Sequence, residues 1–190
     1  MTYVYNYLFV ILWAGFLIYW RAMERNVKAN SRIEPRTWRV VRSVLMWIAV
    51  LLLWFKRVPV AVINRRFLPN KAWVFWIGAV VTAGGLLFAI WARRYLGRNW
   101  SSEVTVKEGH ELITSGPYSI VRHPIYTGIL LGFVGSAIAR GEWRGLIAVA
   151  LVVIALWCKL KLEEEWMRSE FGETYGVYSK RVRALVPGVL

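Results

Sequence analysis

The stretch Ala72-Trp73-Val74-Phe75-Trp76-Ile77-Gly78-Ala79-Val80-Val81-Thr82-Ala83-Gly84-Gly85-Leu86-Leu87-Phe88-Ala89-Ile90-Trp91-Ala92 contains nothing more polar than Thr82. A helix rises ~1.5 Å per residue, and a bilayer core takes about 20 such residues. This run is long enough to span. Four shorter runs accompany it: Tyr3 to Trp20, Val40 to Phe55, Ile125 to Ala139 and Leu146 to Leu160. The second, fourth and fifth runs in chain order are marginal against a minimum of about 17 residues, so flanking Trp, Lys and Arg must reach the interface. In lipid only helices and closed barrels satisfy every backbone group, and no set of alternating barrel segments is present. The expected fold is an all-α integral membrane protein with about five transmembrane helices. It forms one membrane domain over 1–190, with helices one and two in 1–71 and helices three to five in 72–160. A loop spans 93–123, and a polar tail covers 161–190.

Composition agrees. The chain is 57% hydrophobic with twelve tryptophans, and its mean hydropathy is +0.42. Trp and Tyr favour membrane interfaces, where one end of the ring is dry and the other wet. The formal charge of +14 raises the question of nucleic acid. However, the basic residues sit between apolar runs and not along one polar face, which points to membrane topology and anionic lipid headgroups. No nucleic-acid partner is expected. The single cysteine, Cys158, excludes an internal disulfide and a CxxC metal site. The first run has no basic leader and no small-residue cleavage site, so it reads as a span and not a removable signal.

Lys and Arg counts set the orientation. There are seven from Arg21 to Arg42, five from Arg93 to Arg122 and six from Lys159 onward, against five from Lys56 to Lys71 and two from Arg140 to Arg144. The positive-inside rule puts the first three segments in the cytoplasm and the N-terminus outside.

Against this apolar background stands Ser115-Gly116-Pro117-Tyr118-Ser119-Ile120-Val121-Arg122-His123-Pro124-Ile125-Tyr126-Thr127-Gly128. Pro124 fits the first turn of a helix, where no amide hydrogen is needed. The remaining residues point to the edge of a site at the membrane surface. The preceding loop is too long for a simple turn, and its Val104-Thr105-Val106 and Leu112-Ile113-Thr114 suggest short ordered pieces. Past the fifth run, the chain continues without a breaker through Glu163-Glu164-Glu165 to Phe171-Gly172, so the helix is expected to leave the membrane and stop there. A short amphipathic helix should follow and end before Pro187-Gly188. Three carboxylates in so basic a chain predict that at least one meets a cation. Gly128, Gly132, Gly135, Ser136 and Ala139, with Gly78, Gly84 and Gly85, read as helix-packing positions. His110 and His123 are the only histidines and lack metal-site spacing, so no metal is expected. No phosphate-binding Gly-rich loop and no Ser or Cys nucleophile beside a His occurs.

The ordered series His110-Glu111-Leu112-Ile113-Thr114-Ser115-Gly116-Pro117-Tyr118, Arg122-His123-Pro124-Ile125-Tyr126-Thr127-Gly128, Glu163-Glu164, Phe171-Gly172, Tyr175, Tyr178 and Val186-Pro187 resembles the isoprenylcysteine carboxyl methyltransferase family. That family lies within the phospholipid-methyltransferase-like membrane enzymes. The resemblance covers about Leu96 to Pro187. It implies methyl transfer from S-adenosyl-L-methionine without a Rossmann domain. His110, Leu112, Ile113, Tyr118, His123, Pro124, Tyr126 and Glu163 would line the cofactor pocket, and the tail would complete it. Arg122, Lys159 and Glu164 are the catalytic candidates, with Arg94 and Arg98 as further cations able to aim an ionised acceptor. Lys159 stands where eukaryotic members place an arginine, a departure that bears on the substrate. The implied acceptor is an isoprenylated cysteine or a similar lipophilic acid, entering sideways from membrane lipid. Phospholipid amine methylation, a sterol-type reductase and a non-catalytic scaffold are the alternatives. Oligomeric state is not encoded legibly.

Overall fold

The computed structural model describes residues 2–23, 35–55, 59–97 and 112–188. Each apolar run lies in one helix: α1 (Thr2–Met23), α2 (Arg36–Trp54), α3 (Ala72–Leu96), α4 (Pro124–Arg140) and α5 (Trp143–Arg181). There is no strand among the described residues, only an isolated bridge between Arg66 and Glu142. The protein is all-α, with apolar helices suited to a membrane. Three of them, α2, α3 and α5, are long and apolar enough to cross one. Two runs read as marginal are thus lengthened, because α2 begins at Arg36 and α5 continues far past Leu160. By contrast α4, at 17 residues, reaches only ~25 Å against a hydrocarbon core of ~30 Å. The apolar part of α1, Tyr7–Met23, is similarly short. Val80 and Leu87 on α3 are 70% and 65% exposed. Apolar side chains pointing outward to that degree suit lipid as the solvent.

Glycine sets the closest packing. On α3 and α4, a Cβ at Gly85 would stand 2.7 Å from the Gly128 carbonyl oxygen, and one at Gly135 would stand 2.5 Å from that of Gly78. The two backbones therefore touch at both levels, as small residues permit in membranes. Gly132 packs against Trp13 and Leu86. Gly84 differs from expectation: nothing lies within 4 Å of its would-be Cβ. One residue along a helix turns the side-chain direction by ~100°, which carries Gly84 off the face Gly85 occupies. Between the glycine contacts, the Thr82 hydroxyl donates to the Gly132 carbonyl at 3.2 Å, and the Trp13 indole donates to Ser136 Oγ at 3.2 Å. These bonds tie α1, α3 and α4 together where lipid offers no alternative partner.

Buried arginines fasten the helix ends. Arg93 donates to the carbonyls of Gly97 at 2.7 Å and Met23 at 2.8 Å, joining the C-terminal ends of α3 and α1. Arg144 donates to the Phe55 carbonyl and to Glu142, each at 2.5 Å. That links the end of α2 to the start of α5 and makes the two antiparallel. The connection from α4 to α5 is tight, with Gly141 in the left-handed region at φ 68°. Gly172 breaks α5 at φ 50°, ψ −124°, the stop expected at Phe171-Gly172. Residues 173–181 then form the short final helix. These connections bring the polar stretch before α4 and the acidic turn of α5 to the same end of the bundle.

Candidate active site

The segment before α4 is held from two sides. Gly116, at φ 59°, lies so close to the Tyr95 ring that a Cβ there would stand 2.6 Å from it. Only glycine serves at such a position. The turn that follows, Gly116–Ser119, buries Pro117 and Tyr118. On the other side runs the tail. Its carbonyls at Arg183 and Ala184 accept from the backbone amides of Arg122 at 2.8 Å and His123 at 3.0 Å. The Leu185 carbonyl accepts from the Thr127 hydroxyl at 2.8 Å, and Tyr178 donates its hydroxyl to the Tyr118 carbonyl at 2.6 Å.

Within this frame the charged side chains converge. Arg122 donates from Nε to Glu164 Oε1 at 2.8 Å, with a second bond to that oxygen, and also bonds the carbonyls of Ser179 (3.0 Å) and Val182. His123 stands between the two carboxylates, with Nδ1 3.6 Å from Glu163 and Nε2 3.4 Å from Glu164. Tyr126 donates its hydroxyl to Glu163 and stacks on His123 at 5.4 Å between ring centres and 4° between planes. Lys159 Nζ lies 3.7 Å from Glu163 and 5.3 Å from the centre of the Tyr126 ring. The expected meeting of an acidic side chain with a cation thus happens twice. The exposure of the ion-paired side chains runs from 10% at Arg122, His123 and Lys159 to 21% at Glu163, so the charges are partly withdrawn from water.

That withdrawal sets the protonation. Burial works against charge on His123, but the hydrogen bonds and charges of Glu163 and Glu164 outweigh it and raise its pKa above the ordinary value. Burial would raise the Glu163 carboxyl; Lys159 and then His123 reverse that and hold it below the ordinary range. Against burial, His123 and Arg122 lower Glu164 to about 2. Desolvation pushes Tyr178 up to about 12 and raises Tyr118 further, with Glu163 adding to the effect on Tyr118. The result is two firmly ionised carboxylates beside a protonation-prone imidazole.

The structure brings together Arg122, His123, Tyr126, Lys159, Glu163 and Glu164 as one cluster, with Pro124 opening α4 beside it. Tyr118 is buried at its edge. Leu112 packs with Tyr175, Tyr178 and Val182, and Ile113 packs on the main core. Arg94 is exposed on α3. His110, Arg98 and the expected ordered piece at Val104 to Val106 lie outside the described residues. Sequence reasoning assigned no role to Tyr178 or Thr127, which hold the tail in place. The pairing of Tyr175 and Tyr178 at helical spacing was the available signal for the first.

A family model described as phospholipid methyltransferase matches residues 73–174, just over half of the chain. The chain belongs to the phospholipid methyltransferase family. The family match takes in α3, α4 and α5 as far as the turn after Gly172, and so contains the charged cluster. It begins earlier and ends sooner than the resemblance read from the motifs. Among similar proteins, protein-S-isoprenylcysteine O-methyltransferase B of Arabidopsis thaliana is 34% identical over 96 residues, 49% of each chain. The protein-S-isoprenylcysteine O-methyltransferase of Schizosaccharomyces pombe is 31% identical over 94 residues, 48% of this chain and 40% of its own. Cobalt-zinc-cadmium resistance protein CzcN of Cupriavidus metallidurans is 31% identical over 115 residues, 59% of this chain and 51% of its own. The chain spans about half the length of the curated relatives it matches. Their names support the isoprenylcysteine carboxyl methyltransferase resemblance carried by the motifs.

Proposed function

We propose that this chain is an S-adenosylmethionine-dependent membrane methyltransferase that O-methylates the carboxylate of an isoprenylated cysteine or a similar lipophilic acid. The observation that carries the reading is the cluster of Glu163, Glu164, His123, Tyr126 and Lys159 within the family-matched span. Its donor set fits the cofactor. An ionised, partly buried carboxylate such as Glu163 suits the ammonium or ribose hydroxyls of the ligand. The flat His123–Tyr126 stack offers an aromatic face to a purine or a sulfonium. When bound, S-adenosylmethionine supplies an electrophilic methyl group on a sulfonium.

The protonation pattern favours a carboxylate over an amine acceptor. An ionised carboxylate attacks as it stands, whereas an ammonium must first lose a proton to a base. Here Glu163 and Glu164 have lowered pKa values and His123 is held toward its charged form, so none is poised to accept one. A carboxylate needs a cation to aim it, and Lys159 supplies one beside Tyr126. Arg122 we assign to positioning, because its guanidinium bonds Glu164 and two tail carbonyls. Methyl transfer is an in-line displacement in which orientation supplies much of the rate. The positive-inside rule puts the cluster and tail on the cytoplasmic side.

The decisive experiment is S-adenosylmethionine binding by the detergent-purified chain. Micromolar-range binding is expected, weakened ~10-fold or more by Glu163→Gln through loss of a charge-assisted bond. Folded protein that binds no cofactor overturns the reading. Incubation with labelled cofactor and N-acetyl-S-farnesyl-cysteine should yield base-labile methyl ester. Labelled amine from phosphatidylethanolamine instead would assign the other acceptor.

A further inference from the structure

A cavity of about 400 Å³ lies between α2 and α5. Trp38, Arg42 and Leu45 line it from α2, and Ala155, Lys159 and Leu162 line it from α5. Each set recurs at spacings of three or four, so each is one helix face. The size falls in the range of pockets that take a single small lipophilic ligand, ~300–1,000 Å³. The groove is continuous with the cluster through Lys159, which lines the cavity and also stands 3.7 Å from Glu163. Arg42 lines the same cavity as Lys159 from the opposite wall. Arg42, Lys159 and Lys161 outnumber Glu165 around the cavity, while the rest of its lining is largely apolar. A largely apolar lining with three basic side chains and one acidic one complements a lipophilic anion better than a lipophilic cation.

The α2 wall falls outside the family-matched residues 73–174. We infer that α2 selects the methyl acceptor: Arg42, with Lys159, binds the acceptor's carboxylate in the α2–α5 groove, and Trp38 and Leu45 receive its chain. The inference rests on the methyltransferase reading for the identity of the acceptor. It adds a specificity-determining residue in a helix to which the motifs gave no role.

The sole cysteine provides a direct readout, since Cys158 is exposed and lines the groove. The purified protein would be treated with N-ethylmaleimide, and modification followed by mass, with N-acetyl-S-farnesyl-cysteine or its methyl ester present. The acid should slow modification several-fold and the uncharged ester much less. Arg42→Gln should erase that difference and raise KM for the acid by about tenfold, the worth of one hydrogen bond to a charged group, with kcat and cofactor affinity unchanged. Arg42→Lys should restore much of the loss. Retained cofactor binding certifies that the variants are folded. Equal Cys158 reactivity with and without acid, or a wild-type KM in Arg42→Gln, overturns the inference even where methyl ester forms. If wild-type protein binds no cofactor, the methyltransferase reading falls, and Cys158 protection by the acid still decides whether the groove takes a lipophilic anion.

Discussion

Replacing Arg122 with Met should undock the tail without unfolding the bundle. The Arg122 side chain is 10% exposed and its partner Glu164 13%. Substitution leaves the Glu164 carboxylate and the Ser179 and Val182 carbonyls without their donor. Breaking a buried ion pair from one side costs ~3–5 kcal/mol. His123 still stands 3.4 Å from Glu164 and spares part of that loss, so the low end, ~3 kcal/mol, is appropriate. At about 1.4 kcal/mol per tenfold, this shifts the docked-to-undocked ratio by roughly two orders of magnitude. The bonds from the Arg122 and His123 amides to Arg183 and Ala184 survive, but they must then hold the tail with little help. Hydrogen exchange at 178–185, together with tryptic cleavage at the exposed Lys180, Arg181 and Arg183, reports the opening. Exchange should accelerate ~100-fold, the same ratio read kinetically, while α3 and α4 stay protected and cofactor affinity falls. Adding Glu164→Leu should recover much of the protection, because a buried pair removed together costs little. Wild-type tail protection in Arg122→Met would refute the assignment of Arg122 as the staple between tail and α5.

Stability should depend on pH from both sides. Glu164 drops from an ordinary 4.5 to about 2 on folding, so its contribution is present above pH 4.5 and lost as pH falls toward 2. His123 is raised from 6.5, so its contribution is complete below 6.5 and lost as pH rises through the folded value. Thermal unfolding should therefore show greatest stability between these limits, and Glu164→Gln should flatten the acid limb; a flat wild-type profile would contradict both shifts. Gly172→Ala forces φ 50°, ψ −124° on a residue with a Cβ, at ~1–3 kcal/mol, and should loosen the tail in the same exchange assay. Gly135→Leu should separate α3 from α4 and abolish recovery of monodisperse protein, whereas Gly84→Ala, with open space around it, should be neutral or gain up to ~1 kcal/mol. Size-exclusion profiles and melting temperatures distinguish the two.

The helices were legible because lipid leaves few choices: a run such as Ala72 to Ala92 can satisfy its backbone only as a helix. Gly172 was legible for a similar reason, since Phe171-Gly172 interrupts an otherwise unbroken helical pattern and the backbone there does take a positive φ. Gly84 was misjudged with Gly85 because small size marks a packing position only when the helix face is known. Arg122 shows a deeper limit. In the sequence it stands next to His123 and looks available to a substrate. Its guanidinium is instead occupied by Glu164 and by carbonyls some sixty positions on, and no local pattern records which backbone oxygens will arrive there. The role proposed for Arg42 was illegible for the same reason, since it depends on the antiparallel pairing of α2 with α5.

That pairing also explains why Lys159 occupies the position it does. A methyl transfer needs donor and acceptor on one line, and therefore two subsites with a common wall. In the proposed arrangement Lys159 is that wall, because it meets Glu163 and the Tyr126 ring and also lines the α2–α5 groove. A buried lysine is costly unless paired, and Glu163 provides the pairing while remaining ionised itself. If the proposed function holds, the same carboxylate that suits a cationic cofactor keeps a cation charged where an anionic acceptor is to be aimed. With a neutral residue at Lys159, Glu163 would lose the strongest influence lowering its pKa, and both subsites would weaken together. On the proposed reading, Lys159 and Glu163 are thus not a solvated acidic turn with chance basic neighbours, but a coupled pair placed between two ligands of opposite sign.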